Sequence, residues 1–180
     1  MKTKFLNGLN FMLLSATILL AFTSCKKDEV VVEKPVDYVG VWVMEKTYAP
    51  EDGGFTIKDV VNFSKNSFTE VAKVKDDNTN SWIDLVGRKG TFIISNGEMN
   101  ISLTEAGTTS VDPVSGGPTG IITFYKEGTT EFSDLLTELE MAKNYKASYT
   151  VSNSSMTLKA DNNNNGSYDD LDEINTYTKQ

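Results

Sequence analysis

The chain has 180 residues, 17 basic against 25 acidic, a net charge of −8, no histidine and one cysteine. Without histidine it lacks the commonest general base at neutral pH and the commonest zinc ligand, and one cysteine cannot make an internal disulfide. The acidic balance and the absence of a basic cluster argue against nucleic acid as a partner.

The N-terminus begins with Lys2 and Lys4, continues through an apolar run from Phe11 to Phe22, and ends in Thr23, Ser24 and Cys25. The run is shorter than the roughly 20 apolar residues that a spanning helix needs, so residues 1–24 read as a secretory leader. The segment Phe22, Thr23, Ser24, Cys25 resembles the lipobox of bacterial lipoproteins. That resemblance implies cleavage before Cys25 and acylation of its thiol with palmitate-type chains. Phe22 departs from the leucine that the family usually carries there. Lys26, Lys27, Asp28 and Glu29 are similar to the export tag of Bacteroidetes-type lipoproteins, while a plain solvated tether explains residues 25–37 equally well. The expected place is the outer membrane, lipid-anchored, at the cell surface or the periplasmic face.

The remaining 38–180 segment is long enough for one domain with a single core. Val39, Val41 and Val43 alternate about Trp42, and Phe55, Ile57, Val61 and Phe63 follow as a second run. After a turn at 64–66, Phe68, Val71 and Val74 form a third strand, with Thr69, Glu70, Lys73 and Lys75 read as its wet-side partners. Trp82 to Val86, Thr91 to Ser95 and Met99 to Thr104 give three more short runs, broken at Gly87, Gly90 and the turn-forming pair Asn96, Gly97. The stretch from Glu105 to Gly120 is rich in Gly, Thr, Ser and Pro and reads as the longest loop, a lid or a hairpin tip. Ile121 to Tyr125 resumes a strand.

Phe132, Leu135, Leu136, Leu139, Met141 and Ala142 make the only helical stripe, with Thr130 or Ser133 as its cap. The core is the expected destination of that stripe. Tyr145 to Val151, Met156 with Leu158, and Ile174 to Thr178 complete the pattern. The expectation is a mainly β, antiparallel, meandering barrel of about eight to ten strands with one short helix late in the chain.

The triplet Gly40, Val41, Trp42 at the start of the first strand resembles the Gly-x-Trp signature of lipocalins, and the chain from residue 38 is similar to lipocalin-like lipoproteins of Bacteroidetes. The resemblance implies an eight-stranded barrel whose Trp42 packs across the closed end, with Lys179 where that family stacks an arginine. The family's helix follows the eighth strand, whereas the stripe here precedes three strands.

Asp161, Asn163, Asn165, Gly166, Ser167, Asp169 and Asp172 occupy positions 1, 3, 5, 6, 7, 9 and 12 of the calcium loop of EF-hands and dockerins. Alternate oxygen-bearing side chains and a glycine at the sixth place suit an ion that takes six to eight oxygens. The expected ligands are Asp161, Asn163, Asn165, Ser167, Asp169 and Asp172, with Glu173 as an alternative last donor. An asparagine-rich solvated turn is the competing explanation.

No pair or triad of residues singles out catalytic chemistry. The leading expectation is a non-enzymatic, membrane-anchored module that binds a small apolar or amphipathic ligand, with Phe63, Phe68, Trp82, Phe92, Phe124, Tyr145 and Tyr149 as cavity or core residues. The alternative is a packed structural or interaction domain at the cell surface, with a structural calcium ion and a protein partner that the residues do not identify.

Overall fold

A computed structural model describes residues 37–49, 54–161, 163, 164, 166 and 173–180. Cys25, the leader and all but the last residue of the tether lie outside these residues. No helix among the described residues is long and apolar enough to cross a membrane.

Nine strands and one helix follow in order: β1 (Gly40–Thr47), β2 (Thr56–Phe63), β3 (Ser67–Asp76), β4 (Ser81–Ser95), β5 (Glu98–Val111), β6 (Pro118–Lys126), α1 (Thr130–Glu138), β7 (Asn144–Ser152), β8 (Ser155–Asp161) and β9 (Ile174–Lys179). Every pairing is antiparallel. Eight strands close a ring in the order β4, β3, β2, β1, β9, β8, β7, β5, with β4 pairing β5 again to complete it. β6 stands outside that ring and, among the described residues, pairs with β5 alone. The ring closes because β5 pairs with β4 through Glu98–Thr108 and with β7 through Glu98–Ser102, and its length leaves Glu105–Val111 to pair with β6 as well.

Two predicted breaks are absent. β4 runs without interruption through Gly87 and Gly90, and β5 extends to Val111 through half of the predicted loop. Glycine weakens a strand, yet here it permits close approach: a Cβ at Gly87 would lie 2.4 Å from Phe124 Cζ, and one at Gly90 would lie 2.6 Å from the Ser102 carbonyl oxygen. The loop shrinks to a tip at residues 112–117, folded on the Asp112 carboxylate, which accepts from the N–H groups of Val114 and Ser115, each at 2.8 Å. Asn96 (φ 55°) and Gly97 (φ 81°) form the tight turn that their pairing suggested.

α1 is capped by Thr129, not by Thr130 or Ser133. Thr129 keeps extended backbone angles, and its Oγ1 accepts from the Phe132 N–H at 3.2 Å. Phe132, Leu135 and Leu136 are buried. Each stabilises the fold by about 1.5–3 kcal/mol through removal of apolar surface from water.

One end of the barrel is a packed aromatic cluster. Trp42 is fully buried, donates from Nε1 to the Tyr38 carbonyl at 2.7 Å, and carries the Lys179 ammonium 5.2 Å from its ring centre. Tyr38 makes edge-on contacts with Phe63 (6.2 Å), Phe92 (5.6 Å) and Tyr149 (5.7 Å between ring centres). Trp42 is thus packed into this end, and a Cβ at Gly40 would lie 3.0 Å from Lys179 Cε.

Candidate functional site

Above the aromatic end, the inner wall changes character. In β2, Asp59 shares its face with Val61 and Phe63, and in β3, Glu70 shares its face with Phe68. Alternation thus carries two carboxylates into the barrel, where Asp59 is 6% exposed and Glu70 7%. The wet-side assignment of Glu70 is corrected: its parity matches the buried Phe68, whereas Thr69 between them is exposed.

Arg88, the only arginine of the chain, projects from β4 and forms an ion pair with Glu70 through Nη2. Its Nη1 reaches the Met141 sulfur at 3.5 Å, so the residues just after α1 also touch this group. From β9, the Tyr177 hydroxyl donates to Asp59 Oδ2 at 2.8 Å. Asp59 Oδ1 is buried with no hydrogen-bond partner among the described residues.

Burial pushes the Asp59 carboxyl above the ordinary carboxylate range, against the opposing pull of the Arg88 charge and the Tyr177 hydroxyl. Burial first, and then the Asp59 carboxylate, holds the Tyr177 hydroxyl well above its usual value. Tyr145 is raised mainly by burial as well. Three ionisable groups and two tyrosines thus converge in a low-dielectric interior, an arrangement that costs stability in a domain built only for packing.

A cavity of about 40 Å³ lies among these residues, with Glu70, Arg88, Tyr145, Asn175 and Tyr177 as its polar wall and Val61, Phe63, Phe68, Ile101, Leu158 and Ala160 as its apolar wall. It has room for a few waters or a very small solute. Of the aromatic residues read from the sequence, Phe63, Phe68 and Tyr145 line it. Phe92 is buried in the packed end, while Trp82, Phe124 and Tyr149 are half-buried. A more open depression of about 360 Å³ on the wall of β5 and β7 is bordered by Asn100, Ile101, Ser102, Asn144, Tyr145, Lys146 and Asn164.

The predicted calcium loop joins β8 to β9, and of its ligands only Asp161 and Asn163 are described. Asn165, Ser167, Asp169 and Asp172 lie outside the described residues. Asp161 Oδ2 accepts from the Gly166 N–H at 3.1 Å, and Asp161 Oδ1 is buried without a hydrogen-bond partner among the described residues. Glu173 is fully buried at the start of β9, and its carbonyl accepts from the Ala160 N–H at 2.9 Å. Among the described residues, no group of three or more acidic or cysteine side chains is placed to hold a metal ion.

Residues 14–115, more than half of the chain, match the model of the family described as NMT1/THI5 like. Small-molecule binding is the role that this family supports. The matched segment contains β1 to β5 and, with them, Asp59, Glu70 and Arg88; Tyr145 and Tyr177 lie beyond it. No curated protein matches the chain. The match overturns the resemblances to lipocalin-like lipoproteins and to EF-hand or dockerin loops. Physically, the three residues Gly40 to Trp42 and one asparagine-rich turn are short patterns that local packing and solvation account for, and the departure of β6 from the ring together with the placement of α1 before β7 is not the lipocalin order. The chain belongs to the NMT1/THI5-like family.

Proposed function

We propose that the protein is a non-enzymatic binding module that takes a small amphipathic molecule into the barrel. The observation that carries this reading is the convergence of Glu70, Arg88, Tyr145, Asn175 and Tyr177 on one cavity with an otherwise apolar wall, with Asp59 bonded behind Tyr177. Binding sites combine an apolar surface with a few convergent polar groups whose protonation is perturbed, and this interior has both. The family supports the same class of role. The polar part of the ligand meets Arg88 and the tyrosine hydroxyls, and its apolar part lies against Phe63 and Phe68. The volume of about 40 Å³ limits a resident to a few heavy atoms unless Arg88 or Tyr145 swings away.

In this reading a lipid anchor at Cys25 holds the module at the outer membrane, supported by the leader and the small residues before the cysteine. In the same reading a structural calcium ion occupies the loop between β8 and β9. What favours the ion is Asp161 Oδ1, a buried acceptor whose hydrogen-bonding capacity is unfilled among the described residues.

Native mass spectrometry of the full chain, taken from its membranes in mild detergent, tests the binding reading. A retained small molecule that is lost in Arg88→Met supports it. A wild-type mass free of any small molecule, in preparations supplied with membrane extract, overturns it. The same spectra report calcium as a discrete mass increment that Asp161→Asn weakens.

A further inference from the structure

Each ring strand pairs on both sides, although β1 and β9 meet only at Trp42 with Lys179 and Val43 with Thr178, whereas β6 offers a whole second edge that pairs with nothing among the described residues. Its hydrogen-bond phase follows from the Glu127 N–H, which donates to the Thr104 carbonyl at 2.9 Å. In that phase Tyr125 and Thr123 bond to β5 opposite Ala106 and Thr108, and the main-chain groups of Ile122 and Phe124 point away from β5.

Natural edge strands are usually blunted by charge, proline or a bulge. Here Pro118, the register shift opposite Thr109 and Val111 and the left-handed Gly120 blunt only the start of the strand and Lys126 its end, while Ile121, Ile122, Thr123, Phe124 and Tyr125 between them carry no charge. Ile121 is 69% exposed, and Thr119 and Thr123 are exposed beside it. The chain carries a net charge of −8, so an uncharged stretch is where two copies meet with least repulsion.

We infer that β6 pairs antiparallel with β6 of a second copy of this chain, about a twofold axis at Thr123. That register matches the free groups one for one, because Ile122 of each copy then exchanges both main-chain hydrogen bonds with Phe124 of the other. It also sets Ile121 against Tyr125 and Thr123 against Thr123. Aromatic with β-branched and threonine with threonine are favourable cross-strand pairs. The strand is thus complementary to itself, which a closed twofold contact requires and a foreign strand would not. The contact is small, so the association is weak.

Sedimentation of the full chain in mild detergent over a wide concentration range tests this, with Thr123→Lys, Thr123→Glu and an equimolar mixture of the two. Thr123 is exposed, so both variants are expected to keep the wild-type circular dichroism and unfolding midpoint. The wild type is expected to show a reversible monomer–dimer equilibrium. Each single variant weakens it by at least about tenfold by placing like charges opposite one another, and the mixture restores it. A wild type that stays monomeric, a dimer that Thr123→Lys leaves unchanged, or association only with another protein overturns the inference. A mixture that stays monomeric overturns the register at Thr123.

Discussion

The two ends of the barrel interior are made by the same alternation and have opposite energetics. Around Trp42, Tyr38, Phe63 and Phe92 the inward positions are aromatic, buried and packed edge to face. A few residues further along the same strands, the inward positions are Asp59, Glu70 and Arg88, with Tyr145 and Tyr177 beside them. The first end contributes stability through apolar burial and ring contacts. The second consumes some of it, since desolvating charges is repaid only in part by their pairing. Where a fold keeps such a layer in its centre, the layer is the place to look for recognition.

The comparison predicts unequal responses to substitution. Trp42→Ala removes the largest fully buried side chain of the packed end and is expected to cost about 3–5 kcal/mol in denaturant-unfolding experiments. A loss below about 1 kcal/mol would show that this end is not the stable one. Arg88→Met strands Glu70 in the interior. Because the pair keeps side-chain exposures of 20% and 9%, the expected cost is below the range for a fully buried pair, about 2–3 kcal/mol. The double variant Arg88→Met with Glu70→Leu should recover most of that loss, since an apolar pair needs no desolvation, and its failure to do so would mean that the ion pair stabilises outright.

Tyr177→Phe takes the hydroxyl from Asp59 Oδ2 and leaves a buried acceptor unsatisfied, for an expected loss of about 1–3 kcal/mol at neutral pH. The smallest effect at neutral pH belongs to Asp59→Asn, and its signature is a slope. The folded-state pKa of Asp59 is raised, first by burial, so the folded protein binds this proton more tightly than the unfolded chain does. The stability contributed by the proton is present below the unfolded value of about 3.9 and is lost as pH rises through the folded value. Asp59→Asn removes that loss. Chemical denaturation across this acidic window should give a flatter profile for the variant, and a profile parallel to the wild type would remove Asp59 from the account.

The candidate site was half legible in the residues. Asp59 and Glu70 share strand parity with Val61, Phe63 and Phe68, and a charge in phase with buried aromatics is the signal that marks an inward-facing carboxylate. Thr69, Lys73 and Lys75 surround Glu70 in the chain and give it the pattern of a solvated face. Arg88 carries a compositional mark as the only arginine among 17 basic residues, but its partner is 18 positions away, opposite it on the neighbouring strand. Tyr177 and Asp59 are 118 positions apart, and no local pattern connects them.

Sequence alone determined the class of the fold: alternation, turn residues and one amphipathic stripe specify strands, hairpins and a single helix because each depends on neighbours within a few residues. Tertiary structure decided which glycines sit inside strands, since only the approach of Phe124 to Gly87 and of Ser102 to Gly90 rewards the missing side chains. It also decided that β5 serves three partners, that β6 leaves the ring, and that two carboxylates, one arginine and two tyrosines meet inside. Those outcomes follow from closing the barrel, which brings together strands far apart in the chain and selects a partner for each by geometry that no local stretch of residues contains.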